Sequence, residues 1–399
     1  EFKEYFKHKR LITFSYMGNT SDNAIDKVFN KERADDRKEW LENYDRDDVL
    51  ETDKNEVPYE DFVDKEMIHF SKYDCERSIP NLIDGLKTSL RKIMYAAFKK
   101  NLTKEIKVAQ FSGYVSEHSG YHHGEMSLNK AIVGLAQNYV GANNVNLLMP
   151  NGQFGTRLEG GKDAASERYI YTELNPLVKY IYPEQDMPLL NYLNDDGYMV
   201  EPDYYLPIIP MVLVNGGKGI GTGYSYEGLC YNPKQIMQFI KNKIKGIPRE
   251  SNVDIEPYYE NFKGTITKIN STKFMMKGVY QIISSDSIRI TELPIGSWTT
   301  NYKEFLETLM DDKKKNKKPI VKSIKDMSTD AIVDLTVKFH PNTLGKLVSK
   351  QVDQYHNLLE KTLRLYCTKQ TTNMHLFNHK QQLRKYNTIY DIVDCYFPI

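Results

Sequence analysis

The sequence predicts a multidomain α+β protein, and three observations support that fold class. The chain has 399 residues, which is enough for about two to three domains with cores of their own. Apolar side chains recur at spacings of three and four between residues 86 and 135, which predicts amphipathic helices, and a short strand unit with glycine corners follows them. Residues 264–296 and 330–340 alternate between apolar and polar side chains, which predicts the strands of a second unit.

Composition excludes several classes of protein. Apolar residues make up 40% and charged residues 27%, a balance that fits a globular protein and not a disordered or collagen-like one. The four cysteines form no CxxC pair and no zinc-ligand spacing, so a reducing compartment is favoured. The longest apolar run, 206–214, contains two prolines and is too short to span a membrane. The chain begins without Met or a signal segment, so we expect an internal fragment of a longer polypeptide.

The formal net charge is only +1, so evidence for a nucleic-acid partner must come from the distribution of charge. Residues 21–66 hold 17 acidic and 8 basic side chains with little periodicity, which predicts a solvated linker or edge segment. Residues 77–107 reverse this balance, with eight basic and two acidic side chains. The helix predicted in this basic block carries lysines and arginines on the side opposite its apolar stripe.

Helices followed by a small strand unit are the pattern of a helix-turn-helix module with a wing. Helical spacing covers 86–98 and 124–138, and 108–118 can form a shorter helix between them. After paired glycine turn signals, residues 168–172 alternate as a β-strand does. In such modules one helix enters the major groove of DNA while loops and helix ends hold phosphates.

Five glycines between residues 216 and 223 invite a nucleotide-binding interpretation. Neither GxxxxGK[ST] nor GxGxxG fits in register, because Val212 stands where the first motif needs glycine and Tyr224 where the second does. The glycines therefore indicate a backbone that passes close to another surface. The basic run Lys313–Lys318 is interpreted as an exposed loop, with a phosphate contact as the alternative.

The common hydrolase signatures give no candidate nucleophile, since HExxH, GxSxG and Cys-His arrangements do not occur in the sequence. The pair Arg168-Tyr169 follows the basic helices and suggests phosphate chemistry. Composition alone does not separate Tyr169 from the other tyrosines, and Tyr171 on the same strand face fits as well.

Several motifs stand in collinear order from about residue 30 onward. They are Arg77-Ser78-Ile79-Pro80, Asp84-Gly85-Leu86-Lys87, Tyr121-His122-His123-Gly124-Glu125-Met126-Ser127-Leu128, Gly152-Gln153-Phe154-Gly155-Thr156-Arg157, Gly160-Gly161-Lys162-Asp163-Ala164-Ala165-Ser166, Arg168-Tyr169-Ile170, Ile208-Ile209-Pro210-Met211-Val212-Leu213 and Gly219-Ile220-Gly221-Thr222-Gly223. Together they resemble the breakage-reunion region of type IIA DNA topoisomerases. The eukaryotic topoisomerase II branch, which includes those of large DNA viruses, is the most similar.

The resemblance implies an order of domains, a homodimer and a cellular location. Residues 1–66 would be an acidic linker that follows a missing TOPRIM domain, and 67–208 a winged-helix DNA-cleavage domain. Residues 209–364 would form a tower-like α/β domain, and 365–399 the start of a coiled-coil gate. Two staggered cuts in double-stranded DNA need two tyrosines, hence a homodimer. The expected location is the nucleus for a cellular protein, and the infected host cell, in cytoplasm or nucleus, and the virion for a viral one.

The resemblance also implies catalytic roles. Tyr169 matches the family nucleophile, Arg168 its catalytic neighbour, and His123 a third catalytic residue. A tyrosine phenol has a pKa of about 10, so it must lose its proton as it attacks a phosphodiester, and nearby cations lower that cost. The planar guanidinium of Arg168 can hold two oxygens of the transition state. His123 at a helix start can donate to a non-bridging oxygen, whereas His122 is interpreted as a packed or capping histidine.

Four further residues match DNA contacts of the family by position. Arg77 and Lys87 would clamp phosphates that flank the cut, which makes DNA binding sensitive to salt. For Arg157 a turn-stabilising role competes almost evenly with a phosphate contact. Ile220 stands between glycines, where an apolar side chain can protrude and wedge between base pairs of a bent duplex.

Type IIA enzymes use Mg²⁺ and ATP, and the resemblance implies that neither binds within this chain. The expected metal site is an acidic DxDxxG cluster of the missing TOPRIM domain, and Asp45-Arg46-Asp47-Asp48 lacks the glycine and the preceding apolar strand. ATP would bind the missing ATPase domain. The alternative to an enzyme is a winged-helix architectural protein that bends DNA without chemistry, in which Tyr169 packs inside the wing.

Overall fold

The computed structural model describes residues 12–51, 55–251, 254–310 and 319–399, and it has a mixed helix and sheet fold as predicted. The helices are α1 (Asn19–Phe29), α2 (Ala34–Glu42), α3 (Tyr59–Phe62), α4 (Ile68–Ser78), α5 (Thr88–Lys99), α6 (Val108–Ser119), α7 (Glu125–Ala136), α8 (Val178–Ile181), α9 (Met211–Asn215), α10 (Pro233–Ile244), α11 (Thr299–Thr308), α12 (Leu344–Ser349), α13 (Leu358–Thr362) and α14 (Ile389–Tyr396). A π-helical turn, Val63–Met67, joins α3 to α4, and 3₁₀ turns lie at Glu184–Leu189 and Arg249–Ser251.

Most of the strands are short and pair as hairpins or small sheets. They are β1 (Thr13–Ser15), β2 (Glu56–Pro58), β3 (Ile106–Lys107), β4 (Tyr171–Thr172), β5 (Tyr192–Asp195), β6 (Tyr198–Pro202), β7 (Gly217–Ile220), β8 (Ser225–Gly228), β9 (Thr265–Lys268), β10 (Lys273–Lys277), β11 (Val279–Ser284), β12 (Ser287–Glu292), β13 (Val321–Asp326), β14 (Leu335–Phe339), β15 (Tyr366–Gln370), β16 (His375–Phe377) and β17 (Leu383–Lys385). The two largest sheets have the orders β11-β12-β14-β13 and β15-β10-β9.

The acidic segment 21–66 is folded where the structure describes it, so a solvated linker does not fit those residues, which leaves the edge-segment alternative. Its few large apolar side chains, Trp40 and Leu41 among them, are buried in the main core. The guanidinium of Arg37 donates to the carbonyls of Lys27 and Asn30, which ties α2 to the end of α1. Charge density did not prevent folding because acidic and basic side chains pair with one another on the outer surface.

The three helices predicted in the basic block and after it are confirmed as α5, α6 and α7. Each contributes an apolar stripe to the main core, with Ile93 and Met94 from α5, Phe111 from α6 and Leu128 and Ile132 from α7. Burial of these stripes, rather than intrinsic propensity, holds helices of this length.

The strand predicted over 168–172 is shorter in the structure. Only Tyr171 and Thr172 form β4, which pairs antiparallel with β3, while Arg168 and Tyr169 lie in a turn. The first turn of α6 has free backbone N–H groups, and these bind the carbonyls of Glu167 and Ile170. The carbonyls of Glu167 and Ile170 therefore accept hydrogen bonds from the first turn of α6 instead of pairing with a neighbouring strand.

The glycine-rich segment forms the β7–β8 hairpin and lies against the end of α4, as the sequence indicated. A Cβ atom added at Gly219 would stand 2.1 Å from the carbonyl oxygen of Ser78, so only glycine permits this approach. The hairpin thereby carries Ile220 next to the residues that follow α4.

The strands predicted over 264–296 and 330–340 are confirmed as β9–β12 and β14, and β13 joins them without having been predicted. A second core of buried side chains, including Ile290, Leu335 and Val337, packs the four-stranded sheet against α11 to α13. The helix expected from about residue 343 is confirmed as α12, which ends before Val352. The run Lys313–Lys318 lies outside the described residues.

Candidate nucleic-acid interface

Tyr169 stands exposed on a tight turn beside the start of α6. Its side chain is 71% exposed, and its backbone N–H donates to the carbonyl of Ser166 at 2.9 Å. The amides of Val108 and Ala109 bind the carbonyls of Ile170 and Glu167 at 3.0 and 3.1 Å, which fixes the turn to the helix. The phenol is therefore presented outward from a rigid support.

The guanidinium of Arg168 lies over the ring of the neighbouring tyrosine, with Cζ 5.7 Å from the ring centroid of Tyr169. Both side chains are exposed, so the planar cation and the phenolic oxygen can reach the same external phosphate. Tyr171 lies differently, since it belongs to β4 and Lys107 covers its ring. The geometry thus separates two tyrosines that the sequence left equivalent.

His123 lies at the other end of α6, in the segment that leads into α7. Its Nε2 atom is 2.7 Å from the hydroxyl of Tyr73, and its ring meets that of Tyr121 edge to face at 5.4 Å. Partial burial and the nearby positive charge of Arg77 lower the pKa of His123, with smaller contributions from His122 and Lys92. The imidazole is therefore held in its neutral form near pH 7.

Arg77 belongs to the same cluster through Tyr73. The two residues are one helical turn apart on α4, and Cζ of Arg77 lies 5.6 Å from the ring centroid of Tyr73. The side chain of Arg77 is exposed. His122 was expected to be a packed or capping histidine. It is exposed and not packed, and its Nδ1 lies 3.1 Å from the carbonyl of Gly120, the residue that caps α6, which fits the capping alternative.

Lys87 contacts the β7–β8 hairpin, which carries Ile220. The ammonium of Lys87, at the start of α5, donates to the carbonyl of Lys218 at 2.8 Å, and burial lowers the pKa of this lysine. Ile220 is 68% exposed in spite of its apolar side chain. Because Gly219 touches Ser78, the residue after Arg77, these side chains and the His123 cluster occupy one region around the end of α4.

Arg157 does not join this exposed region, so the phosphate contact expected for it does not fit the structure. Its side chain is buried and forms a salt bridge with the buried carboxylate of Glu292 on β12. Glu292 also accepts from the backbone N–H groups of Leu293 and Lys263. The competing turn-stabilising interpretation is the one that the geometry supports, and a buried paired charge is costly to leave unpaired.

The structure does not bring all the candidate catalytic residues together within one chain. The turn with Arg168 and Tyr169 contacts the first residues of α6, whereas His123 follows its last residues. A helix of 12 residues separates its two ends by about 18 Å. Two groups of side chains therefore lie apart in one chain. After the roles expected of them, we call Arg168 and Tyr169 the nucleophile turn, and Arg77, Lys87, His123 and Tyr73 the phosphate cluster.

Residues of α7 and of the segment 160–167 line an open groove of about 800 Å³. Met126 on its wall is exposed, as is Lys130 one turn later. The lining includes Glu167, the residue before Arg168.

Sequence reasoning missed Tyr73. Its spacing of four from Arg77 was the available signal, because residues at i and i+4 share a helix face, but the sequence analysis predicted no helix over these residues. The sequence did not indicate the contact between Tyr73 and His123, since the two residues are 50 positions apart.

Within the described part of the chain, no group of three or more His, Cys, Asp or Glu residues could hold a metal ion. The residues present therefore do not fit a Mg²⁺ site. No helix among the described residues is both long enough and apolar enough to cross a membrane.

Comparison with known proteins gives consistent results across the chain. The family model for the A subunit of DNA gyrase/topoisomerase IV matches residues 77–399, and that of the C-terminal associated domain of TOPRIM matches residues 1–75. DNA topoisomerase 2 of Plasmodium falciparum is 44% identical over 403 residues, which cover 99% of this chain and 28% of the relative. That of Arabidopsis thaliana is 44% identical over 405 residues, covering 100% and 27%.

A solved structure is similar as well. The DNA-binding, cleavage and re-ligation domain of Plasmodium falciparum topoisomerase II superposes with a TM-score of 0.85 at 43% identity, covering 100% of this chain and 53% of that one. The chain spans little more than a quarter of the length of the curated relatives that it matches. Since one family model covers most of its residues, the chain belongs to the DNA gyrase/topoisomerase IV family of type IIA DNA topoisomerases, on the topoisomerase II branch.

Proposed function

We propose that this chain is the DNA-binding and cleavage part of a topoisomerase II, and that it breaks duplex DNA through a transient link between Tyr169 and a phosphate. The observation that carries this proposal is the exposed phenol of Tyr169, held on a rigid turn with the guanidinium of Arg168 beside it. Strand passage driven by ATP would be the activity of the full enzyme, an ATP-hydrolysing isomerase.

The chemistry is a transfer of phosphorus from one oxygen to another. The phenolic oxygen of Tyr169 forms a bond to phosphorus while the bond from phosphorus to a deoxyribose oxygen breaks. The phenol loses its proton, and the departing deoxyribose oxygen gains one. The fork of Arg168 stabilises the negative charge on the phosphoryl oxygens in the transition state. Because the new bond is also a phosphodiester, the same steps in reverse reseal the strand.

The phosphate cluster and the nucleophile turn of one chain lie too far apart to act on the same phosphate. We therefore propose that the functional unit is a homodimer in which the nucleophile turn of one protomer meets the phosphate cluster of its partner. Two such composite sites make two cuts related by a two-fold axis. Arg77 and Lys87 hold phosphates, His123 donates to a phosphoryl oxygen, and Ile220 wedges a base step and bends the duplex.

Several finer assignments extend this proposal. We assign a winged-helix DNA-cleavage domain to 67–208, a tower-like domain to 209–364 and the start of a coiled-coil gate to 365–399. Mg²⁺ and ATP would bind other segments of the enzyme. The expected location is the nucleus, or the infected host cell and virion if the protein is viral.

The alternative is a winged-helix architectural protein without chemistry. In that case Tyr169 would be a packing residue of the wing, but its exposure of 71% argues against packing. The relatives and the similar structure are topoisomerases, and the similar structure is named for cleavage and re-ligation, which favours the enzyme.

The test is a denaturing gel of the complete enzyme with end-labelled duplex DNA and Mg²⁺. We expect a covalent adduct that disappears in Tyr169→Phe, because phenylalanine has no oxygen to bind phosphorus. Tyr171→Phe is the matched control and should keep the adduct. An adduct that persists in Tyr169→Phe and disappears in Tyr171→Phe would move the nucleophile to residue 171, and no adduct in the wild type would support the architectural alternative.

A further inference from the structure

Tyr73 connects two residues of the phosphate cluster. Its hydroxyl lies 2.7 Å from Nε2 of His123, and its ring lies under the guanidinium of Arg77. The side chain of Tyr73 is 38% exposed, so packing in the core does not account for its position. Tyr73 contacts His123 through its hydroxyl and Arg77 through its ring, so it is placed to orient both side chains.

The hydrogen bond has consequences for the position of the proton on His123. A phenol donates its hydrogen to an imidazole nitrogen only if that nitrogen carries a lone pair, and in neutral histidine one nitrogen has the proton while the other accepts. The contact is compatible with either position of the ring proton: Nε2–H can donate to the phenol oxygen, or the phenol can donate to a bare Nε2, which leaves the ring proton on Nδ1. Among the described residues no hydrogen bond to Nδ1 of His123 is found.

The surroundings of His123 favour this neutral form. Arg77 and Lys92 are cationic, the ring of His122 lies 4.3 Å away, and Tyr121 packs edge to face. Lys92 is itself held by the carbonyl of Ser119 and the carboxylate of Glu201, so one of the cations is partly compensated. Partial burial and the positive charge that a second proton would add beside these groups both lower the pKa of His123.

We propose that Tyr73 is a positioning residue that holds His123 as the Nδ1–H tautomer and so makes Nδ1–H, rather than Nε2–H, the donor offered to a DNA phosphate oxygen. This inference rests on the proposed function for the role of His123 in cleavage. It adds a residue and names the atom that donates. Tyr73 itself does not touch the phosphate in this arrangement, and its effect passes through the imidazole.

The first test reads the tautomer directly. The chain is labelled with ¹⁵N-histidine, and two-bond ¹H–¹⁵N correlation spectra assign protonated and bare ring nitrogens, with His123→Gln identifying the signal. We expect His123 to carry its proton on Nδ1 at pH 7.5 and to shift toward Nε2–H in Tyr73→Phe. The variant keeps the ring under Arg77 and removes only the hydroxyl, so folding is preserved.

Tyr180→Phe is the matched control, because Tyr180 is an exposed tyrosine on α8 that also lies beside a cationic side chain, Lys179. It should leave the His123 tautomer unchanged. A wild-type His123 with its proton on Nε2, or a Tyr73→Phe spectrum identical to wild type, would overturn the proposal.

The second test uses the complete enzyme with Mg²⁺ and labelled DNA. Tyr73→Phe should lower the rate of adduct formation roughly 3- to 10-fold, the worth of one neutral hydrogen bond, with little change in DNA affinity. A tautomer shift without a rate change would overturn the donor role of Nδ1–H. If the wild type forms no Tyr169 adduct, the proposed function fails, while the tautomer spectra still decide whether Tyr73 positions His123.

Discussion

The nucleophile turn and the phosphate cluster are held in different ways. Backbone hydrogen bonds to the first turn of α6 fix Arg168 and Tyr169, and the two side chains project outward. The phosphate cluster instead joins side chains from α4, the start of α5 and the segment after α6, with the β7–β8 hairpin against them. The turn is thus held by backbone bonds to a single helix end, whereas the cluster depends on side chains from several distant segments.

The nucleophile turn and the phosphate cluster should therefore respond differently to side-chain substitutions. A side-chain substitution in the turn alters chemistry and leaves the support intact, because the support is backbone. A substitution at Tyr73 alters the position of its neighbours, because Tyr73 contacts both His123 and Arg77. The predictions below separate these two behaviours.

The largest effect is expected from releasing the loop that precedes the turn. Arg157 anchors this loop to Glu292, and Thr299 and Thr300 bind its carbonyls at Arg157 and Leu158. Arg157→Ala leaves a buried carboxylate without its cation, so the free energy of unfolding should fall by about 3–5 kcal/mol. Chemical denaturation monitored by circular dichroism measures it.

Arg168→Ala is the matched control for that experiment. Arg168 is exposed, so its removal leaves no buried carboxylate without a cation. Arg168→Ala should change the free energy of unfolding by less than about 0.5 kcal/mol, and it should slow cleavage. Equal stabilities for the two alanine variants would contradict a structural role for Arg157.

The second effect concerns the composite site. A heterodimer is assembled from one protomer with Tyr169→Phe and a partner with His123→Gln. If each site uses the turn of one protomer and the cluster of its partner, one site keeps both native residues and nicks one strand at the wild-type rate. If both residues act within one chain, every site is damaged, and nicking should fall by about 10²-fold. Strand-specific end labels distinguish these outcomes, and the two homodimeric variants serve as controls.

The smallest effect concerns the salt dependence of DNA binding. Lys87→Ala removes one phosphate contact of the cluster, so the slope of log K against log salt should decrease in magnitude by about 0.9. Titrations at several salt concentrations measure this slope. Lys179→Ala, an exposed lysine outside the cluster, should leave the slope unchanged, and the same slope in both variants would remove Lys87 from the interface.

Much of the fold was predictable because it depends on local pattern. Apolar periodicity predicts the stripes of α5, α6 and α7 and the strands β9–β12, because the apolar side chains that recur are those buried in the two cores. A solvated linker was one interpretation of the acidic segment because charge density hides the few apolar residues that dock it, such as Trp40. The strand at Tyr169 was overextended because alternation does not reveal that the free N–H groups of a neighbouring helix bind those carbonyls.

Periodicity and motifs of adjacent residues predicted the helices α5 to α7, most strands of the second unit and the family, and the family resemblance pointed to Tyr169 where the residues alone left Tyr171 equally suitable. Only the tertiary structure decided that Arg157 is buried against Glu292, that Tyr73 reaches His123, and that the turn and the cluster lie at opposite ends of α6. Each of these depends on which distant segments meet, and contact between distant segments is set by packing of the whole core rather than by any local pattern.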